Sequence, residues 1–269
     1  MPDLTKPSGH KFDHGHALVL SGGAGRTGAA RLAARAALRI GAGVVTLGVP
    51  PAAQFEVAAQ ITALMLTRVA DAAALGAVLG DGRINALCLG PGLGLGAGAL
   101  VDQVLDGGHL SAARRVVLDA DALSLIAEDG ARMEALNAHA VLTPHGGEFA
   151  RLFPDLVSLP KVEATCQAAV RCGAVVLFKG VETVIAHPDG RCAIHAATGA
   201  RAVPWLATAG AGDVLAGLII GLLARGFDPM PAAQAATWLH VECARVFGPG
   251  LIAEDLPDLL PQVLRAVAG

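Results

Sequence analysis

The sequence contains no tyrosine, and phenylalanine and tryptophan raise its aromatic share to only 3%. Platforms on which nucleic-acid bases stack are therefore poorly provided. Charge is also thin, at 16% of residues with a net −3 and no basic block, which argues against a phosphate-binding footprint for nucleic acid. The five cysteines are odd in number and scattered, with no C-x-x-C pair, so neither a zinc site nor a disulfide framework is expected. Buried free thiols in a reducing cytosol are expected instead. The start, "MPDLTKPSGHKFDHGH", lacks the apolar core of a secretory signal. Its histidines His10, His14 and His16 fit no common metal spacing. The longest apolar run, Val214 to Ala224, is too short to cross a bilayer. A cytoplasmic protein with neither a membrane nor a nucleic-acid partner is expected.

What is abundant is apolar surface: 54% of 269 residues, enough for a substantial core. Short apolar runs alternate with alanine-rich helical stretches. The strands expected are Ala17–Leu20, Val44–Val49, Ala86–Leu89, Val116–Leu118, Ala140–Leu142, Val175–Phe178 and Thr183–Ala186. The helices expected are Gly28–Ile40, Ala97–Leu105, Lys161–Cys172, Gly212–Arg225, Ala232–Val246 and Leu256–Val267. Unbroken apolar strands alternating with helices imply an α/β fold with a mostly parallel sheet covered on both faces. No linker or repeat divides the chain, so a single domain over 1–269 is expected, with 1–10 a loose segment.

Glycine-rich or polar turns recur just after the strands: "SGGAGRTGAA", "GPGLGLGAG", "DADAL", "TPHGGE" and "KGVET". Ligands of open α/β sheets bind outside the carboxyl ends of the strands, so five such turns suggest one cleft. "GAGRTG" matches the G-x-G-x-x-G of dinucleotide sites, but no acidic residue follows about 20 positions on to hold a ribose. It also fails as a phosphate-binding P-loop, since Ala-Ala follows Gly28. "TPHGGE" offers His145 and Glu148, either as a helix cap or as a proton carrier or substrate contact beside a magnesium-facing glutamate. In "KGVETVIAHPDG", Lys179 stands at a strand end and a hairpin is expected around Pro188-Asp189-Gly190. Lys179 is either a solvated lysine or a phosphate contact. The most specific stretch is "AGAGDVLAG". Ala209, Gly210, Ala211 and Gly212 precede Asp213, and their N–H groups would converge at a helix start as an anion hole. A plain aspartate N-cap needs no run of small residues ahead of it.

"GAGD" opening an apolar helix and the "TPHGGE" turn resemble signatures of the ribokinase-like three-layer α/β/α fold. The ordered set "SGGAGRTGAARLAARAALRIGAGVVTL", "GPGLG", "LDADAL", "LTPHGGEFARL", "KGVETVIAHPDG" and "ATAGAGDVLAGLI" is narrower. It resembles the ADP- or ATP-dependent NAD(P)H-hydrate dehydratases, over about Lys11 to Leu264. The resemblance implies a repair lyase. A nucleotide phosphate drives water out of hydrated NADH or NADPH and restores the cofactor. It implies hydrate contacts at Ala29, Gly94, His145 and Asp213. Adenine-nucleotide contacts fall at Lys179, Gly180, Val181, Glu182, Thr183, Gly210 and Gly212. Mg2+ near Glu148, directly or through water, and Asp213 as catalytic base complete the site. The stand-alone form is expected, as a homo-oligomer paired in function with a separate epimerase. Two departures are Pro204-Trp205-Leu206, bulky where smaller residues are expected, and Ala211, where Thr or Ser is usual. The alternatives are another small-molecule kinase of the same fold, or a nucleotide-binding regulatory protein without chemistry.

Overall fold

One nine-stranded sheet organises the chain in a computed structural model, which describes residues 3–106 and 108–268. In chain order the strands are β1 (His16–Leu20), β2 (Val44–Val49), β3 (Met65–Arg68), β4 (Ile84–Leu89), β5 (Arg115–Leu118), β6 (Ala140–Leu142), β7 (Val175–Phe178), β8 (Glu182–Ala186) and β9 (Cys192–Ala196). Their spatial order is β3-β2-β1-β4-β5-β6-β7-β8-β9. Neighbours from β3 through β7 pair parallel. Strands β8 and β9 pair antiparallel, through the hairpin expected at Pro188–Gly190.

The helices are α1 (Gly28–Arg39), α2 (Gln54–Ala58), α3 (Ala72–Leu79), α4 (Gly98–Leu105), α5 (Asp121–Ala127), α6 (Gly130–Glu134), α7 (Gly146–Leu152), α8 (Lys161–Cys172), α9 (Ala211–Ala224), α10 (Pro229–Phe247) and α11 (Asp255–Ala268). Two apolar cores flank the sheet. One is built on α1, α9, α10 and α11, the other on α3, α4, α5, α7 and α8. Strands buried on both faces explain the unbroken apolar runs. Strand β3 was not expected. It lies at a sheet edge, with Met65 58% exposed, and so lacks the apolar run that marks the central strands.

Helix α9 is buried on almost every side, and Leu218, Ile219, Ile220, Leu222 and Leu223 are each at most 2% exposed. Burying such a side chain contributes about 1.5–3 kcal/mol. The helix crosses α1 so closely that a Cβ on Gly217 would lie 2.2 Å from the Ala33 carbonyl oxygen. The start of α9 is thereby fixed against the rigid core, and with it the loop that carries Asp213.

The free-thiol expectation needs one correction. All five cysteines are unpaired, but only Cys88, Cys172 and Cys243 are buried. Cys192 is exposed because it begins the edge strand β9, and Cys166 is half-buried on α8. Met1 and Pro2, part of the expected loose segment, lie outside the described residues. Residues 3–10 hold no helix or strand, yet the Leu4 and Thr5 carbonyls accept hydrogen bonds from Arg225 at 2.9 and 2.8 Å. No helix among the described residues is long and apolar enough to cross a membrane.

Candidate active site

Chain order reverses between β1 and β4, which lie side by side although β2 and β3 intervene in sequence. Such a switch point opens a crevice at the carboxyl ends of the strands. The loops after β1 and β4 meet there. The Gly94 N–H donates to Asp121 Oδ2 at 2.7 Å. The Arg26 guanidinium stands 3.4 Å from where a Gly94 Cβ would be. Ala29, in the first turn of α1, lies 3.4 Å from the Cβ position of Gly92. The expected hydrate contacts Ala29 and Gly94 are thus brought to one place. Asp121 and Arg26 join them.

The charged centre lies beside this crevice. Asp119, 2% exposed, follows β5, and its Oδ1 accepts from Lys179 Nζ and Thr143 Oγ1, both at 2.7 Å. Lys179 Nζ also stands 3.8 Å from Glu148 Oε2. Burial pulls the Lys179 ammonium down, but Asp119 and Glu148 outweigh it and hold its pKa above the usual value. Lys179 is no solvated surface lysine. Asp213, half-buried in the first turn of α9, is pushed up to about 6 by burial, with Asp119, Asp121 and Glu148 adding to the effect and Lys179 opposing it. Three carboxylates therefore face one ammonium. Ala120 separates Asp119 from Asp121 with φ +46°, a conformation costly for a side chain with Cβ. This sharp turn sends one carboxylate to Lys179 and the other to the Gly94 N–H.

Glu148 and His145 both serve the start of α7. His145 Nδ1 accepts from the Gly147 and Glu148 N–H groups, at 3.0 and 3.3 Å, while Glu148 Oε2 accepts from the His145 N–H at 2.8 Å. This reciprocal pair is a capping box with histidine in the hydroxyl position. With Nδ1 an acceptor, Nε2 carries the proton; it lies 3.3 Å from Glu148 Oε1. The capping reading of "TPHGGE" is therefore realised. It also holds Glu148, 5% exposed, toward Lys179.

The anion loop differs in register from expectation. Helix α9 begins at Ala211, whose N–H turns back toward the Thr208 carbonyl at 3.4 Å. From Ala209 to Asp213, the N–H groups without a backbone acceptor among the described residues are those of Ala209, Gly210, Gly212 and Asp213; of the expected donors only Ala211 is taken. Gly210 caps the helix at φ +87°, which favours glycine, and a Cβ there would strike Leu32 at 2.7 Å. His240 fixes the loop from behind. Its Nε2 lies 2.9 Å from the Ala211 carbonyl, and burial lowers its pKa to about 4, so the neutral ring donates this bond.

Behind Asp213 opens a cavity of about 490 Å3, lined in part by Lys179, Gly180, Val181, Thr183, Ala211 and Gly212. Val203, Leu206, Leu215 and Val241 make its wall apolar, and Thr237 and His240 add polar atoms. Pro204 and Leu206, the unexpected bulky residues, form one side, while Trp205 stands 49% exposed. Most of the expected nucleotide contacts thus share one cavity. Gly210 does not line it, and neither does Glu182. Its side chain is exposed, and its carbonyl accepts from Lys161 at 2.5 Å. Lys161 also donates to the Lys179 carbonyl at 3.0 Å and lies 4.3 Å from the Phe178 ring centre. It stitches the β7–β8 turn together, a role its plain helical position in sequence does not reveal. Among the described residues no group of three or more His, Cys, Asp or Glu could hold a metal by itself.

A three-layer sheet with an apolar cavity and an anion loop at its carboxyl edge defines a ribokinase-like protein. A ribokinase-like superfamily protein from Enterococcus faecalis V583 superposes with a TM-score of 0.86 at 23% identity, covering 97% of this chain and 91% of that one. The family model described as NAD(P)H-hydrate dehydratase matches residues 17–263. The chain belongs to the NAD(P)H-hydrate dehydratase family. It is similar to the ADP-dependent (S)-NAD(P)H-hydrate dehydratase of Xanthomonas campestris pv. campestris, 33% identical over 97% of this chain and 92% of that protein. It is also similar to the ADP/ATP-dependent NAD(P)H-hydrate dehydratase from Bacillus subtilis co-crystallised with ATP and Mg2+, with a TM-score of 0.79, 28% identity and coverage of 99% and 94%. The chain spans about half the length of the curated bifunctional NAD(P)H-hydrate repair enzymes it matches.

Proposed function

We propose that this chain dehydrates the S form of hydrated NADH or NADPH at the expense of ADP or ATP. The observation that carries the proposal is Asp213, a carboxyl raised to about 6, at a helix start with free N–H donors and between the crevice and the cavity. The hydrate's ring hydroxyl is a poor leaving group. Its oxygen attacks the terminal phosphoryl group of the nucleotide, and the bond to the shortened nucleotide breaks. Asp213, ionised at neutral pH, accepts the hydroxyl proton. The N–H groups of Gly210, Gly212 and Asp213 face charge growing on the transferring oxygens. Electrons pushed from the ring nitrogen then expel phosphate, and loss of a ring proton restores the double bond. The sum is hydrate plus nucleotide giving NAD(P)H, phosphate and the shortened nucleotide.

The nucleotide would occupy the cavity, its phosphates directed to Lys179 and the α9 loop. Three carboxylates against one ammonium disfavour a bare polyphosphate and suit one carrying Mg2+. Mg2+ keeps several waters and leans on phosphate oxygens, so it needs no all-protein cage, and the described residues form none. Glu148 would reach it directly or through water, with Oε2 already accepting the capping bond from the His145 N–H. When bound, the ion would neutralise phosphate charge. A separate epimerase activity would supply the S form, as the bifunctional relatives suggest.

The test is absorbance recovery of reduced nicotinamide from hydrated NADH supplied with ADP or ATP and Mg2+. Recovery without nucleotide, or none with either, refutes the proposal. A stable phosphate ester would mark a kinase instead.

A further inference from the structure

The start of α9 is a wall between two hollows. Ala211 and Gly212 line the nucleotide cavity on one side. On the other, Gly210 abuts Leu32, and Leu32 lines a groove of about 690 Å3 between α1, residues 60–64 and α11. The groove opens at Gly28, one residue before Ala29, where an added Cβ would meet nothing within 4 Å. It therefore leads directly away from the crevice. Its size falls within the range of small-molecule sites, roughly 300–1,000 Å3.

Its charge is unusual. Arg31, Arg35 and Arg39 stand at successive i,i+4 positions of α1 and all line the groove. Like charges at that spacing repel and weaken a helix. Asp258 offsets two of them, pairing with Arg35 at 2.6 Å and Arg39 at 3.1 Å. Arg31 has no carboxylate at ion-pair distance among the described residues. It feels Glu56, whose carboxylate is held by the Gly25 N–H and the Thr27 hydroxyl. Glu254 is the acidic side chain in the lining. Three guanidinium groups in a row, one of them without an ion-pair partner among the described residues, match a ligand with several phosphates, because each guanidinium forks onto phosphate oxygens.

We infer that the groove holds the phosphate-bearing adenosine half of the hydrated dinucleotide, with Arg31 as a phosphate contact. This rests on the dehydratase reading for the identity of the dinucleotide. The nicotinamide end lies at Gly94 and Asp213. The pyrophosphate passes Gly28 to Arg31, and Arg35 and Arg39 face the ribose that carries the 2′-phosphate in the NADPH form.

The probe is NADPH, the reaction product, titrated by its fluorescence with ADP saturating the cavity. Arg31→Ser is expected to weaken NADPH about tenfold to a hundredfold, the loss of one charge-assisted contact. The KM for hydrated NADPH should rise in parallel. Arg31→Lys should recover much of the loss. Reduced nicotinamide mononucleotide, which lacks the adenosine half, should bind wild type and Arg39→Ser alike, whereas NADPH should not. NADPH affinities within twofold of wild type in both serine variants would overturn the inference, as would wild-type protein that binds no NADPH. Arg31-dependent NADPH binding without restoration of the hydrate would support the groove and refute the dehydratase reading. Restoration with normal KM in Arg31→Ser would refute the groove alone.

Discussion

Asp213→Asn should make the protein more stable and far less active. The folded carboxyl is raised from 3.8 to about 6, chiefly by burial. Each unit is worth about 1.36 kcal/mol, so ionising Asp213 costs the fold roughly 3 kcal/mol above pH 6. The sign follows from proton counts. The folded state binds its proton more tightly than the unfolded chain, so stability is fullest below pH 3.8 and is lost as pH rises through about 6. Asparagine keeps the shape and never ionises. The variant should therefore gain up to about 3 kcal/mol at pH 8 and almost nothing near pH 4, read from denaturant midpoints at both values.

Activity should move the other way. Loss of a general base typically costs about 10²–10⁴-fold in kcat. Wild-type kcat/KM should rise with pH through an apparent pKa near 6, and the residual activity of the variant should lose that limb. ADP affinity by calorimetry should change little. Two results would refute the reasoning. Turnover within a few-fold of wild type would make Asp213 a helix-capping residue only, and His145 the next base to test. Equal stability of variant and wild type at pH 8 would show that its carboxylate is not held against its surroundings.

Other substitutions probe the groups around it. Lys179→Met leaves Asp119 and Glu148 facing each other across a buried gap, and a broken buried pair costs about 3–5 kcal/mol, so a lower melting temperature should accompany weaker nucleotide binding. Unchanged melting would mean Lys179 is free to leave the cluster. Glu148→Gln keeps most of the α7 cap but loses charge; the magnesium concentration for half-maximal rate should rise, whereas unaltered magnesium dependence would confine Glu148 to capping. Lys161→Met removes two carbonyl contacts from the β7–β8 turn, and the KM for ADP should rise with melting nearly unchanged. An ADP KM equal to wild type would show that the turn holds its shape alone.

Much of this architecture was legible because burial leaves a plain pattern. Central strands covered on both faces must be apolar throughout, and β2, β6 and β7 have the bounds expected for them. Edge strand β3 meets solvent, and Met65–Arg68 carries no such run. Short helices such as α2, α5 and α6 escape for another reason. They span 5 to 7 residues, too few for a helical period to repeat. The glycine and small-residue turns were visible because backbone approach to a ligand restricts residue type. Side chains that act from a distance left no comparable mark. Lys161 and His240 sit at ordinary helical positions, and only the fold brings one to the Lys179 carbonyl and the other to Ala211.

Asp119 and Asp121 show where sequence reading stops. "DADAL" stood out as a turn after a strand, yet neither carboxylate could be given a partner from spacing alone. Their partners, Lys179 and the Gly94 N–H, are 60 and 27 residues away along the chain. What unites them is the sheet order, which places β4 beside β5 and brings the end of β7 toward both through β6. Burial is the main reason Asp213 is raised, and the same sheet order adds to it. Its helix enters from the opposite face of the sheet and presents one more carboxylate to a centre already holding Asp119 and Glu148. A single lysine can satisfy one of them well, and it sits 2.7 Å from Asp119. Asp213, in the first turn of a buried helix and without that contact, is raised to about 6, chiefly by burial, and so can exchange its proton near neutral pH.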